Sequence, residues 1–189
     1  MRQYRFAHLA RKVVGVGSVG TRCWVALMVG QDEDDPLVLQ IKEAEASVME
    51  RYVGASAYRN HGRRVVEGQR LAQATGDPLL GWTSVVGPDD VERHFYLRQL
   101  WDWKVSAAIE TMSTDTLGLY GRMCGWTLAR SHARSGDRHA IAAYLGSGDR
   151  FDRALARFAE VYADQSDRDH KLLLDAIAKG RIAAEREEE

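Results

Sequence analysis

Near its N-terminus the chain carries Gly15-Val-Gly-Ser-Val-Gly20, a spacing that lets main chain approach a phosphate closely. Glycine has no Cβ to hold the backbone away and accepts positive φ at no steric cost. Two arrangements use G-x-G-x-x-G. In a dinucleotide fold the run leaves a strand and opens a helix whose N-terminus faces the pyrophosphate. In a glycine-rich hairpin it joins two strands and covers the phosphates. Here Cys23-Trp-Val-Ala-Leu-Met-Val29 follows, and β-branched and aromatic residues of that kind suit a strand. The pattern therefore predicts a hairpin, with Gly15, Gly17, Ser18 and Gly20 as phosphate contacts. The bland alternative is a turn whose glycines only relieve the backbone. A nicotinamide enzyme would need a helix directly after Gly20.

A second charge-bearing position is Lys42, at the end of the strand predicted over Leu37–Lys42. A lysine there is a compact point charge able to reach an α- or β-phosphate; otherwise it is a solvated strand end. Glu67 lies in a helix predicted over Tyr58–Ala74, where a carboxylate could orient that lysine. Arg63, Arg64 and Arg70 sit three or four positions from it, so a surface ion pair explains it equally well. The junction Gln99-Leu-Trp-Asp-Trp-Lys104 would place the backbone of Gln99 and Leu100 against a nucleotide base, with Trp101 and Trp103 lining the cleft or packing at a boundary. His132 and Asp137, in Ser131-His-Ala-Arg-Ser-Gly-Asp137, have the wrong spacing for a His-Arg-Asp catalytic loop and lack its following Asn. No H-E-x-x-H, G-x-S-x-G or paired-carboxylate motif occurs, so no catalytic residue and no metal ligand is nominated.

The elements that must hold these residues follow from pattern and composition. With 189 residues, 45% hydrophobic and 28% charged, the chain can bury a core without disulfides. Its 26 Lys+Arg against 27 Asp+Glu exclude a generic polyanion binder, so nucleic acid is not an expected partner. No apolar run reaches the roughly 20 residues of a membrane span, and the N-terminus lacks a signal-peptide core. Cys23 and Cys124 form no C-x-x-C pair, which makes a reducing cytoplasm the expected compartment.

Strands are expected at Val13, Val14 and Val16, at Cys23–Val29, at Leu37–Lys42, at Leu79–Val86 and at His94–Trp101. Short connections favour antiparallel pairing. After about Lys104 the pattern turns helical. Leu117, Tyr120, Cys124 and Leu128 share one face, with Ser113 or Thr114 as cap. Phe151, Leu155, Phe158 and Tyr162 share another, and Ser166-x-x-Asp169 resembles a capping box before a last helix. Glu185–Glu189 should lie in solvent. The fold class is α+β: about five antiparallel strands and one helix in residues 1–104, then a helical segment in 105–189.

Several stretches together resemble one family. They are Ala10-Arg-Lys-Val-Val-Gly-Val-Gly-Ser-Val-Gly-Thr-Arg-Cys-Trp24, Gln40-Ile-Lys-Glu-Ala44, Asn60-His-Gly-Arg-Arg-Val-Val-Glu-Gly-Gln-Arg70, Tyr96-Leu-Arg-Gln-Leu100 with Asp102-Trp-Lys104, and Cys124-Gly-Trp-Thr-Leu-Ala-Arg-Ser-His-Ala-Arg-Ser-Gly-Asp137. Over about Ala10 to Ile182 the chain resembles the bacterial family catalogued as domain of unknown function 2252. That family in turn looks like a relative of protein kinases and aminoglycoside phosphotransferases. The resemblance implies a kinase-like small lobe in 1–104, part of the large lobe in 105–189, ATP as cofactor, and Gly15, Gly17, Gly20, Lys42 and Glu67 as the nucleotide-binding set. Longer members carry a Gly-Asp-x-His-x-x-Asn segment and an Asp-Phe-Asp-like stretch before the glycine run; neither occurs here. Mg²⁺ is accordingly expected only together with that missing N-terminal half. The expectation is a nucleotide-binding half of a phosphotransferase, not catalytic alone, partnered by the missing half or by self-association. The alternative is a catalytically silent, pseudokinase-like binding or scaffold module.

Overall fold

A computed structural model of the chain describes residues 4–13, 15, 20–32, 34–100 and 106–184. Five strands, β1 (Arg5–Arg11), β2 (Cys23–Val29), β3 (Pro36–Ala44), β4 (Gly81–Val86) and β5 (Glu92–Gln99), form one antiparallel sheet in the order β1-β2-β3-β5-β4. Between β3 and β4 lie a single turn of helix, α1 (Glu50–Val53), and α2 (His61–Ala72). The rest is helical: α3 (Thr114–Ser135), α4 (Arg138–Leu145) and α5 (Arg150–Ala178). The chain is α+β.

Two corrections concern element positions. The first strand is Arg5–Arg11, and Val13 lies beyond it; Val14 and Val16 fall outside the described residues. The ladder closes at Arg11 opposite Trp24, with the Lys12 N–H donating to the Cys23 carbonyl at 2.9 Å. The capping-box reading at Ser166 also fails, because α5 runs unbroken from Arg150 to Ala178. The side chains expected to start a helix instead bond within one: Gln165 Nε2 donates to Asp169 at 2.7 Å, and Arg168 donates to Gln165 Oε1. The predicted Ser113 cap is present, its hydroxyl accepting from the Thr116 N–H at 3.2 Å.

Side chains alternate across the sheet. One face carries the rows Cys23–Lys42–Tyr96–Trp82 and Ala44–His94–Ser84. This face receives α2. Asn60 caps the helix, accepting from the Arg63 N–H at 2.8 Å and donating to Ser84 Oγ at 2.8 Å. The His61 N–H donates to His94 Nδ1 at 3.1 Å. Gly62 lies against the Phe95 carbonyl so closely that a Cβ would collide with it. The buried core, Cys23, Ala26, Leu39, Ala44, Val66, Leu80 and Phe95, belongs to the sheet, to α2 and to the turn entering β4.

Residues 1–138 form one compact unit and 139–189 a second. In the first, α3 adjoins α2, with Arg134 Nε donating to the Leu71 carbonyl at 3.0 Å. In the second, α5 exposes Leu155, Phe158, Val161 and Tyr162. None of α3, α4 and α5 contains a buried residue.

Candidate functional site

The connection between β1 and β2 spans the glycine run. Its roots are fixed by the Lys12–Cys23 bond and by the Glu43 N–H donating to the Arg22 carbonyl at 2.9 Å. Gly15 is exposed and Gly20 takes φ +84°, a conformation that favours glycine. Gly17 and Ser18 lie outside the described residues. Because β2 begins immediately afterwards at Cys23, no helix opens after Gly20, and the dinucleotide arrangement is excluded.

Lys42 stands on β3 directly opposite Cys23, the first β2 residue after that connection. Its side chain shares the α2 face with Tyr96 and His94. Among the described residues Lys42 has no ion pair or hydrogen-bonding side-chain partner. Glu67 does: Arg70 Nη1 lies 3.5 Å from its Oε1. Arg63 and Arg70 occupy the same flank of α2 as Glu67, and both reach the β4 side. Arg63 lies 5.8 Å from the Trp82 ring and Arg70 donates to the Leu80 carbonyl at 2.9 Å. Arg64 reaches the other way, to the Glu45 carbonyl beyond β3, at 2.9 Å. Lys42 and Glu67 thus share a face of the sheet but are not paired.

At the far end of this face the backbone donors predicted to meet a base are already engaged. The Gln99 N–H donates to Asp77 Oδ2 at 2.7 Å and the Leu100 N–H to the Val38 carbonyl at 2.8 Å. Trp101 and Trp103 fall outside the described residues.

What the motif reading missed lies beside them. Gln40, only 3% exposed, accepts from Arg98 Nε at 3.1 Å and Nη2 at 3.0 Å, and its own amide lies 3.7 Å from Cys23 Sγ. Among the described residues Arg98 has no carboxylate partner. It borders a cavity of about 460 Å³ shared with Gln69, Gln73 and Thr75. Burial pushes the Tyr96 phenol up, partly offset by the Arg98 guanidinium. The signal for Arg98 is its register opposite Gln40, which only strand pairing reveals.

The opposite face holds a groove of about 560 Å³ floored by Trp24, Ile41, Phe95 and Leu97. At its end Glu43, nearly buried, joins Arg22 at 3.2 Å and Arg93 at 3.6 Å. Arg93 also pairs with Asp89, holding that carboxyl well below the usual range.

A bacterial protein family described as "Uncharacterized protein conserved in bacteria (DUF2252)" matches residues 1–176. The chain belongs to this family. The DUF2252 match takes in the whole sheet, α2, the Lys42 face and nearly all of α5. No curated protein and no solved structure matches the chain. No helix among the described residues is long and apolar enough to cross a membrane. Magnesium binds through hard oxygen donors, and among the described residues no cluster of three or more His, Cys, Asp or Glu side chains could hold a metal ion.

Proposed function

We propose that this chain is the nucleotide-binding part of a kinase-like phosphotransferase, with residues 1–104 as its small lobe and 105–189 as a helical segment of the large lobe, and that it does not turn over alone. The relationship that carries this proposal is Lys42 opposite Cys23. A cation with no ion-pair partner among the described residues stands at the root of a glycine-rich connection, on the face that α2 flanks. A glycine-rich main chain and a strand lysine together are what a polyphosphate requires. The chain order supports it as well: glycine connection, strand lysine, helix, two further strands. Glu67 acts within α2 as the partner of Arg70.

Calorimetric titration with ATP, with and without Mg²⁺, tests the proposal. Wild type should bind, and Lys42→Ala should bind about 10- to 100-fold more weakly, the value of a charge-assisted contact. Equal affinity in the two proteins removes the phosphate role.

A second reading, a catalytically silent binding module, is favoured by a different observation: α3 and α5 expose apolar side chains without burying any residue. Contiguous exposed apolar surface commonly marks an interaction site. Sedimentation across a concentration range separates the two, since a monomer at every concentration speaks against self-association.

A further inference from the structure

We propose that the groove on the sheet face opposite α2 binds a single uncharged alkyl chain, laid across the strands. The groove lies on the other side of the sheet from Lys42, so it stands apart from the nucleotide reading above.

The topology gives the groove its shape. Trp24, Ile41 and Leu97 are direct partners on β2, β3 and β5, so their side chains form one row across the middle of the sheet. Leu9 on β1 and Val85 on β4 line the same cavity of about 560 Å³. These two belong to the outermost strands, about 19 Å apart in a flat sheet at ordinary spacing. A cavity that takes side chains from both edges runs across the strands and is long rather than round. Its floor is deep, since Phe95 is only 7% exposed. The β4–β5 turn closes one end. That turn is fixed by the Gly87 N–H, which donates to the Val91 carbonyl at 3.0 Å, and by Arg93, which pairs with Asp89 and reaches the Val91 carbonyl at 3.2 Å. Volume and lining match those of small-molecule sites, roughly 300–1,000 Å³ and mostly apolar.

Charge decides what the occupant carries. Arg22, Glu43, Asp89 and Arg93 stand at the closed end and are matched with one another: Glu43 joins both arginines, and Arg93 also holds Asp89. Two cations and two anions leave no net charge to compensate an ion, and burying an unpaired ion is costly. Thr83, the other polar side chain of the lining, is uncharged. A polypeptide fits poorly too. Its backbone N–H and C=O groups need partners when buried, whereas the floor of this groove is apolar side chain. An alkyl chain brings no such group.

The test is a titration of the whole chain with straight-chain alcohols from hexanol to dodecanol, followed by methyl NMR. Shifts at Ile41, Val85 and Leu97 should share one dissociation constant, while Leu155 and Val161 on α5 stay unmoved. Affinity should rise about two- to fourfold per added methylene, then level off once the groove is full. Decanol should bind about fivefold or more tightly than decanoate and decylammonium. Val85→Asp, on the exposed rim, should weaken decanol about tenfold or more, with an unfolding midpoint measured alongside to show that the variant is folded. The wild-type series needs no variant. Affinity that climbs without a plateau, shifts confined to α5, or no shift at all overturns the site. A tenfold preference for decanoate or decylammonium overturns the uncharged end. None of these outcomes touches the nucleotide reading, which rests on the other face.

Discussion

Lys42 and Glu67 lie on one face of the sheet, yet the carboxylate sits on the β4 flank of α2, where Arg70 approaches it to 3.5 Å. The strand lysine is left without a protein partner among the described residues. A lysine with no acidic partner among the described residues can serve a ligand, and this is what the proposed polyphosphate contact requires. Glu67→Gln should accordingly change nucleotide affinity by less than about twofold, as expected for loss of one exposed helix ion pair. A loss as large as that of Lys42→Ala would instead mean that Glu67 supports the lysine.

Two glycines of α2 should respond in opposite directions. Gly62 lies under the Phe95 carbonyl, and Gly62→Ala should cost about 1–3 kcal/mol because helix and sheet must separate. Gly68 faces open space at ordinary φ, so Gly68→Ala should add up to about 1 kcal/mol through helix propensity. Urea unfolding of both variants against wild type reads the two signs directly.

How much of this was legible in the sequence depended on burial. β2 and β3 announce themselves through Trp24, Val25, Leu39 and Ile41, and Asn60 marks where α2 begins. β1 does not, because Arg5–Arg11 is an exposed edge strand whose register shifts between Phe6 and His8, so its alternation is broken. The valines at 13–16 looked the better strand. Ser166 and Asp169 fit a capping pattern, but such a motif starts a helix only where the chain is not already helical. Spacing could place Glu67 on a helix near Lys42; it could not say which flank would face β3. Arg98 was invisible as a site residue because its partner Gln40 is fifty-eight positions away.

Stability should decline at alkaline pH through Tyr96. Burial raises its phenol above the ordinary value of 10.0. The unfolded chain therefore loses this proton first. Its contribution is fully present below about that ordinary value and is lost as pH rises through the folded one. Unfolding midpoints measured from pH 8 to 11 should fall less steeply for Tyr96→Phe than for wild type. Parallel curves would assign the alkaline limb to other groups.

Asp77 ties the end of β5 to the turn entering β4, accepting from the Leu79 N–H at 2.8 Å and the Gln99 N–H at 2.7 Å. Asp77→Ala should cost about 1–2 kcal/mol through loss of these two bonds, whose donors then turn to water. The change should also appear locally, as faster hydrogen exchange at Gln99, while amides in the middle of β2 keep their protection relative to global stability. Unchanged exchange at Gln99 would show that the carboxylate does not hold it.

The most direct test of a polyphosphate at Lys42 is its reactivity toward an amine-acylating reagent, followed residue by residue by mass spectrometry, with and without saturating nucleoside triphosphate. Strong protection of Lys42 is predicted, with Lys171 on α5 and Lys179 just past its end labelled equally in both samples. Labelling of Lys42 that is the same with and without nucleotide would contradict it.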